Sequence, residues 1–158
     1  MLSRALLSAV APLLFWIAYA AFRSRWLRHS GRKQRWVMGT LRLAADVGYR
    51  RALSVYGHLL FLRGDSPQSK IQGGIYLERA AQQGDMKAQY QVGRIYEQGF
   101  EFYFRADTDK ALHHYRAAAA QGHALAISRL ADAAAQGELG LQPDAAEAAR
   151  WRALMPGA

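Results

Sequence analysis

The sequence contains no cysteine, so neither a disulfide framework nor a thiol nucleophile or thiolate metal site can be built from it. No glycine-rich phosphate loop, Ser-His-Asp set or nucleophile elbow occurs among its 158 residues. The common residue patterns for phosphoryl and acyl transfer are therefore missing. His113, His114 and His123 are the nearest approach to a metal set. Adjacent residues on a helix point about 100° apart, so the first two cannot converge on one ion without ligands from elsewhere. No His-x-x-x-His pair occurs, and His58 reads as a packed or surface residue beside an apolar face. Acids are scarce at the front of the chain: residues 1–51 carry ten Lys/Arg against one acid, Asp46. Residues 52–158 carry eleven of each, so the net charge of +9 belongs entirely to the front end. The few carboxylates are mostly explained by helix starts, and no general acid–base pair stands out. These absences point away from an enzyme and imply no cofactor, no metal and no small-molecule substrate.

What is present is repetition. Asp107, Lys110, Ala111, His114, Tyr115, Ala118, Ala119 and Gly122 spell D-x-x-K-A-x-x-H-Y-x-x-A-A-x-x-G. Thirty-seven residues on, Asp144, Glu147, Ala148 and Trp151 repeat the frame. Earlier, Gly73, Tyr76, Ala80, Ala81 and Gly84 do the same, and a fainter copy survives as Ala44, Ala45 and Gly48. The turn glycines at 48, 84 and 122 are spaced 36 and 38 apart. A second series precedes each of these. Ala88, Val92, Gly93, Tyr96 and Gly99 align with Ala52, Tyr56, Gly57, Leu60 and Arg63, and with Ala126, Leu130, Ala131, Ala134 and Gly137. A period in the high thirties with two helical patterns per unit marks an α-solenoid.

The residue types explain why such units stack. Small and apolar residues at three- and four-residue spacing share one helical face. Alanines and glycines let helix backbones approach, while Tyr76, Tyr96, Tyr115 and Trp151 fill the space between neighbours. The glycine after each A-A-x-x stands where a helix must stop and turn. Asp107 and Asp144 stand one step before a helix, where a carboxylate can accept free backbone N–H groups.

This pattern resembles the Sel-one-like repeat, a subfamily of the tetratricopeptide-type helical repeats, over residues 49 to 154. The middle copy matches best. The first copy has Arg63-Gly64 at the glycine and lacks the Asp, and the last has Ala131 and Ala134 for Gly and Tyr, as capping units do. The resemblance implies a non-enzymatic adaptor that holds protein partners.

Residues 5–22, ALLSAVAPLLFWIAYAAF, form an uncharged run of 18, just long enough to cross a bilayer as a helix. Trp16 and Tyr19 suit the interface, and Pro12 is tolerated in such a helix. The competing reading is a secretory signal cleaved at Ala18-Tyr19-Ala20. The weak positive start at Arg4 and the cations directly after the cut count against it. A soluble core helix fits poorly, because the run shows no polar face. Arg23, Arg25, Arg28, Arg32, Lys33 and Arg35 follow without an acid. The positive-inside rule then places the repeats in the cytoplasm; the general style of the sequence, and no one motif, suggests a bacterial inner membrane. Each cation near anionic headgroups contributes about 1 kcal/mol. The same stretch with Trp26 and Trp36 could grip phosphates and stack on bases, but the neighbouring apolar run explains its charge more simply.

The fold expected is all-α: a short α-solenoid of about three helix-turn-helix repeats preceded by a single transmembrane helix. The chain divides into an anchor (1–22), a basic juxtamembrane segment with a lead-in helix from near Arg32 to Asp46 (23–48), the solenoid (49–154) and a short tail (155–158). One feature exceeds what the repeat needs. The loop GFEFYFRAD holds Phe100, Phe102, Tyr103 and Phe104 beside Arg105. Some of these rings should be core, since the loop of the family it resembles commonly tucks an apolar residue between helices, but four are hard to bury in so short a connection. The alternative to packing is that, with the arginine, they form a contact for an unidentified protein partner or a membrane.

Overall fold

The computed structural model describes residues 4–24, 31–155 and 157. Eight helices occur among them: α1 (Arg4–Arg23), α2 (Gly31–Asp46), α3 (Arg50–Arg63), α4 (Pro67–Gln82), α5 (Met86–Gln98), α6 (Thr108–Ala120), α7 (Ala124–Gln136) and α8 (Ala145–Ala153). Consecutive helices pair into four hairpins, α1–α2, α3–α4, α5–α6 and α7–α8, which stack through α2 on α3, α4 on α5 and α6 on α7. No strand is present among the described residues beyond an isolated antiparallel bridge between Phe100 and Phe104.

The helix ends follow from side chains placed to satisfy orphan backbone groups. Asp85, Asp107 and Asp144 each accept first-turn N–H groups at the heads of α5, α6 and α8. Ser66 does so for α4, whose first residue is Pro67, and His123 Nδ1 accepts the Ala126 N–H at the head of α7. A cap of this kind is worth about 1 kcal/mol. At the other end, the alanine pair and the turn glycine work together. The N–H of Gly84 returns to the Ala81 carbonyl at 2.9 Å, and that of Asp85 to Ala80 at 3.0 Å. Gly48 and Tyr49 repeat this on Ala45 and Ala44, and Gly122 and His123 on Ala119 and Ala118. The geometry requires a left-handed residue, and the three glycines have φ of 92°, 81° and 85°.

Packing within hairpins depends on backbone approach. A Cβ on Gly73 would stand 2.5 Å from the Phe61 nitrogen and 2.8 Å from the Gly57 carbonyl, so α3 and α4 touch main chain to main chain. The core falls into two contiguous clusters, one running from α1 to α5 with Phe104, the other through α6 to α8, and Tyr96 packs against both.

The amino-terminal helix departs from expectation. It does not stand apart from the repeats: Ala11, Phe15 and Ala18 are buried in the first core cluster, and α1 packs on α2 as the first arm of a fourth hairpin. The small–large–small spacing of four and three puts these side chains on one face, and the flanking alanines let Phe15 enter. An apolar helix without a polar face carries no periodic signal to show this in advance. It remains the one helix among the described residues long and apolar enough to cross a membrane.

Candidate functional site

Gly99, at φ 72°, ends α5 and opens a three-residue hairpin. Phe100 and Phe104 close it by exchanging both backbone hydrogen bonds, at 2.8 and 3.0 Å. Residues opposed in this way project to one side, and here that side is the core. Phe100 is half-buried with its ring 5.4 Å from Phe61. Phe104 is only 2 % exposed and lies directly over Gly74, where a Cβ would come within 2.5 Å of its ring. Its other neighbours are Tyr96 and Tyr103, both edge-on. Phe100 and Phe104 are therefore removed from the aromatic contact surface expected of this loop, because the closing pair turns them inward. Phe102, at the tip, is 98 % exposed and Tyr103 is 57 % exposed, with Arg105 exposed beside them. Glu101 reaches φ 51° to let the tip turn.

The repeat positions take structural places. Ala80, Ala81, Ala111, Tyr115, Ala118, Ala119 and Ala148 are buried, Tyr96 and Trp151 are half-buried, and Gly93 lies against the Tyr115 ring, where a Cβ would approach to 2.8 Å. Of the basic segment, Arg23, Arg32 and Arg35 are exposed and Lys33 is half-buried, donating to the Ser24 carbonyl at 2.9 Å. Arg25, Arg28 and Trp26 lie outside the described residues.

Sequence reasoning missed the polar joints between helices, both within and between units. Tyr76 donates its hydroxyl to Asp46, Tyr96 to Glu78 and Tyr115 to Glu97. Glu97 also receives Arg129 at 2.6 Å, and Arg129 reaches Glu138 at 2.6 Å. Burial and then the Asp46 carboxylate push Tyr76 up to about 12; Tyr96 and Tyr115 rise for the same two reasons. Burial alone would raise Glu97, but hydrogen bonds from Arg129 and Tyr115 overcome it and hold the carboxyl below its usual range. These phenols stay protonated donors at neutral pH, so the chain of contacts is a fastener and not a proton relay. A second joint recurs at the turns. Gln83 Nε2 donates to the Gly48 carbonyl at 3.1 Å, and Gln121 Nε2 to that of Gly84 at 3.2 Å. The repeated Gln-Gly step was the available signal.

His114 stacks parallel on Tyr96, with centroids 6.1 Å apart, and His123 on Tyr90 at 4.5 Å. Burial, helped by the charges of His113 and Lys110, lowers His114 to about 4. Among the described residues no three His, Asp or Glu gather as metal ligands.

The family model for the Sel1 repeat matches residues 50–85, 87–123 and 124–151. Among similar solved structures is a Sel1 repeat protein from Oxalobacter formigenes, 26% identical with a TM-score of 0.74 over 91% of this chain and 57% of that one. Another is a protective antigen present in uropathogenic Escherichia coli strains displaying an SLR fold, 25% identical with a TM-score of 0.77. That likeness covers 98% of this chain, α1–α2 included, and 33% of the other. The chain thus spans 57% and 33% of the length of these two structures. No curated protein matches it significantly. Its paired helices, recurrent alanine–glycine turns and three matched units, which fill well over half the length, make it a member of the Sel1 repeat family.

Proposed function

We propose that this chain is a non-catalytic adaptor, held by α1 and its basic flank at the cytoplasmic face of a bacterial inner membrane, whose Phe102–Tyr103 tip docks a partner protein. The observation that carries the docking role is the division of labour in the loop. Phe100 and Phe104 are spent on anchoring it, while Phe102 is 98 % exposed on a closed hairpin. A rigid, exposed aromatic pair beside an arginine loses little entropy on binding and has the composition of an interface hot spot. The exposed Phe102 and Tyr103 rings make the contact mainly apolar, so it should change little with salt, and residues 52–158 sum to zero charge. The same neutrality disfavours nucleic acid, whose binding needs the basic surface to continue onto the repeats.

The test is site-specific photo-crosslinking in cells, with the probe at position 102 and, as control, at exposed Asp109. A discrete adduct from position 102, absent from the control and abolished by Tyr103→Ser, supports the docking role. Equal crosslinking from both positions, or none, removes it.

Export is the alternative, favoured by the Escherichia coli relative being a protective antigen and by the Ala18-Tyr19-Ala20 site. Burial of Ala11, Phe15 and Ala18 counts against cleavage, since removing α1 would strip the first hairpin of its partner.

A further inference from the structure

Resting on the membrane association proposed above, we infer that α1 lies along an anionic bilayer surface and not across the bilayer. Two faces of the helix decide this. Ala11, Phe15 and Ala18 are committed to the solenoid core, and the Phe15 ring meets that of Tyr49, just past α2, at 5.4 Å. On the opposite side of the cylinder, Val10, Leu13 and Ile17 are 38, 63 and 48 % exposed. Their spacing of three and four makes one continuous stripe. One narrow face of α1 is thus held by protein, and most of the rest is a largely apolar surface facing outward.

Crossing the bilayer with the hairpin intact would carry α2 into the hydrocarbon alongside α1. With it would go Arg32, Lys33, Arg35 and the Arg42–Asp46 ion pair. Arg51 would follow, its guanidinium 5.1 Å from the centre of the Trp16 ring near mid-helix. Charges at that depth are tolerated where they face a bundle interior or water, and a two-helix arm offers neither. Crossing with α1 released would instead open the core it shares with Val37, Leu41 and Tyr49. Lying in the plane avoids both costs. The stripe enters the headgroup–acyl boundary while its far side, with Tyr19 stacked on Phe15, stays packed, exposed Trp16 sits at the depth amphipathic rings prefer, and the cations remain among phosphates. A second copy of the chain is a poorer occupant. Two such hairpins would oppose like charges, because residues 1–51 hold ten cations and one acid.

The absence of native cysteine makes the test clean. Leu6, Leu13 and Ala20 lie seven residues apart on the exposed face. Each is replaced singly by cysteine in the full chain, coupled to a fluorophore, and its depth read by quenching with spin-labelled lipids in phosphatidylglycerol-containing vesicles. The in-plane arrangement gives three equal, shallow depths, and binding to pure phosphatidylcholine vesicles falls by about tenfold or more, since several cations contribute. A Leu13 label about 10 Å deeper than the other two would establish a spanning helix and overturn the in-plane seating while leaving the membrane association intact. Failure of all three variants and the unmodified chain to bind vesicles would overturn both, and dimers in solution without vesicle binding would give the face to a second copy.

Discussion

Phe104 and Phe102 stand two positions apart in one loop and have opposite fates. Phe104 fills the notch that Gly74 leaves open, so Phe104→Ala should cost about 3 to 5 kcal/mol of stability through the cavity it creates. Phe102→Ala removes a ring in contact with solvent and should change stability by less than about 0.5 kcal/mol. Urea titrations of both variants check the contrast; similar losses would mean that the tip, too, is core. The fully buried Ala118 gives a test of opposite sense. Ala118→Leu should destabilise by about 1 to 3 kcal/mol through overpacking, and an unchanged midpoint would show that the helix register is misassigned. At this scale the turns and caps were legible, because Gly84, Gly122, Asp107 and Asp144 answer demands local to the backbone. Which of four neighbouring rings turns inward was not. That depends on Gly74, some thirty residues away, and on a closing pair that composition does not reveal.

Among elements, α1 shows the limit of periodicity most clearly. A helix apolar all round reads identically whether it meets lipid, protein or both, and only the placement of Phe15 between Ala11 and Ala18 hints at a packed face. The joints between elements were hidden for a different reason. Gln83 and Gln121 look like solvent-facing residues beside a turn until each is seen to hold the preceding turn. The α5–α6 joint also sets a pH dependence. His114, on Tyr96, is lowered to about 4 in the folded chain, against about 6.5 unfolded. Between those values the unfolded chain binds more protons, so stability is complete above about pH 6.5 and is lost as pH falls toward 4. The half-buried His58 and His123 are shifted the same way, and Glu97 adds a loss at lower pH, its folded value lying below the ordinary one. His114→Phe keeps the stack and removes the titration. It should flatten the slope of midpoint against pH between about 6.5 and 4, and an unaltered slope would exclude His114 as a source.

For the whole molecule, the division of charge is the property that sequence and structure express together. The repeats are neutral and fastened by buried rings, turn bonds and a few shared carboxylates, while the first hairpin carries the basic excess and the exposed apolar stripe. Among the described residues each hairpin stacks mainly on its neighbours, so stability adds unit by unit, and the first hairpin can meet a surface without altering the α5–α6 tip. Burying the charges of α2 at the bilayer centre would cost about 2.5 to 3.5 kcal/mol each, which is why the hairpin, once formed, favours a surface over a crossing. The solenoid is proposed to work on the cytoplasmic side of a membrane. The most direct measurement is a fusion after residue 158 of a reporter active on only one side, assayed in fractionated cells. A reporter in the membrane fraction and on the cytoplasmic side is the predicted result, and a reporter active outside the cytoplasm, or found only in the soluble fraction, would contradict it.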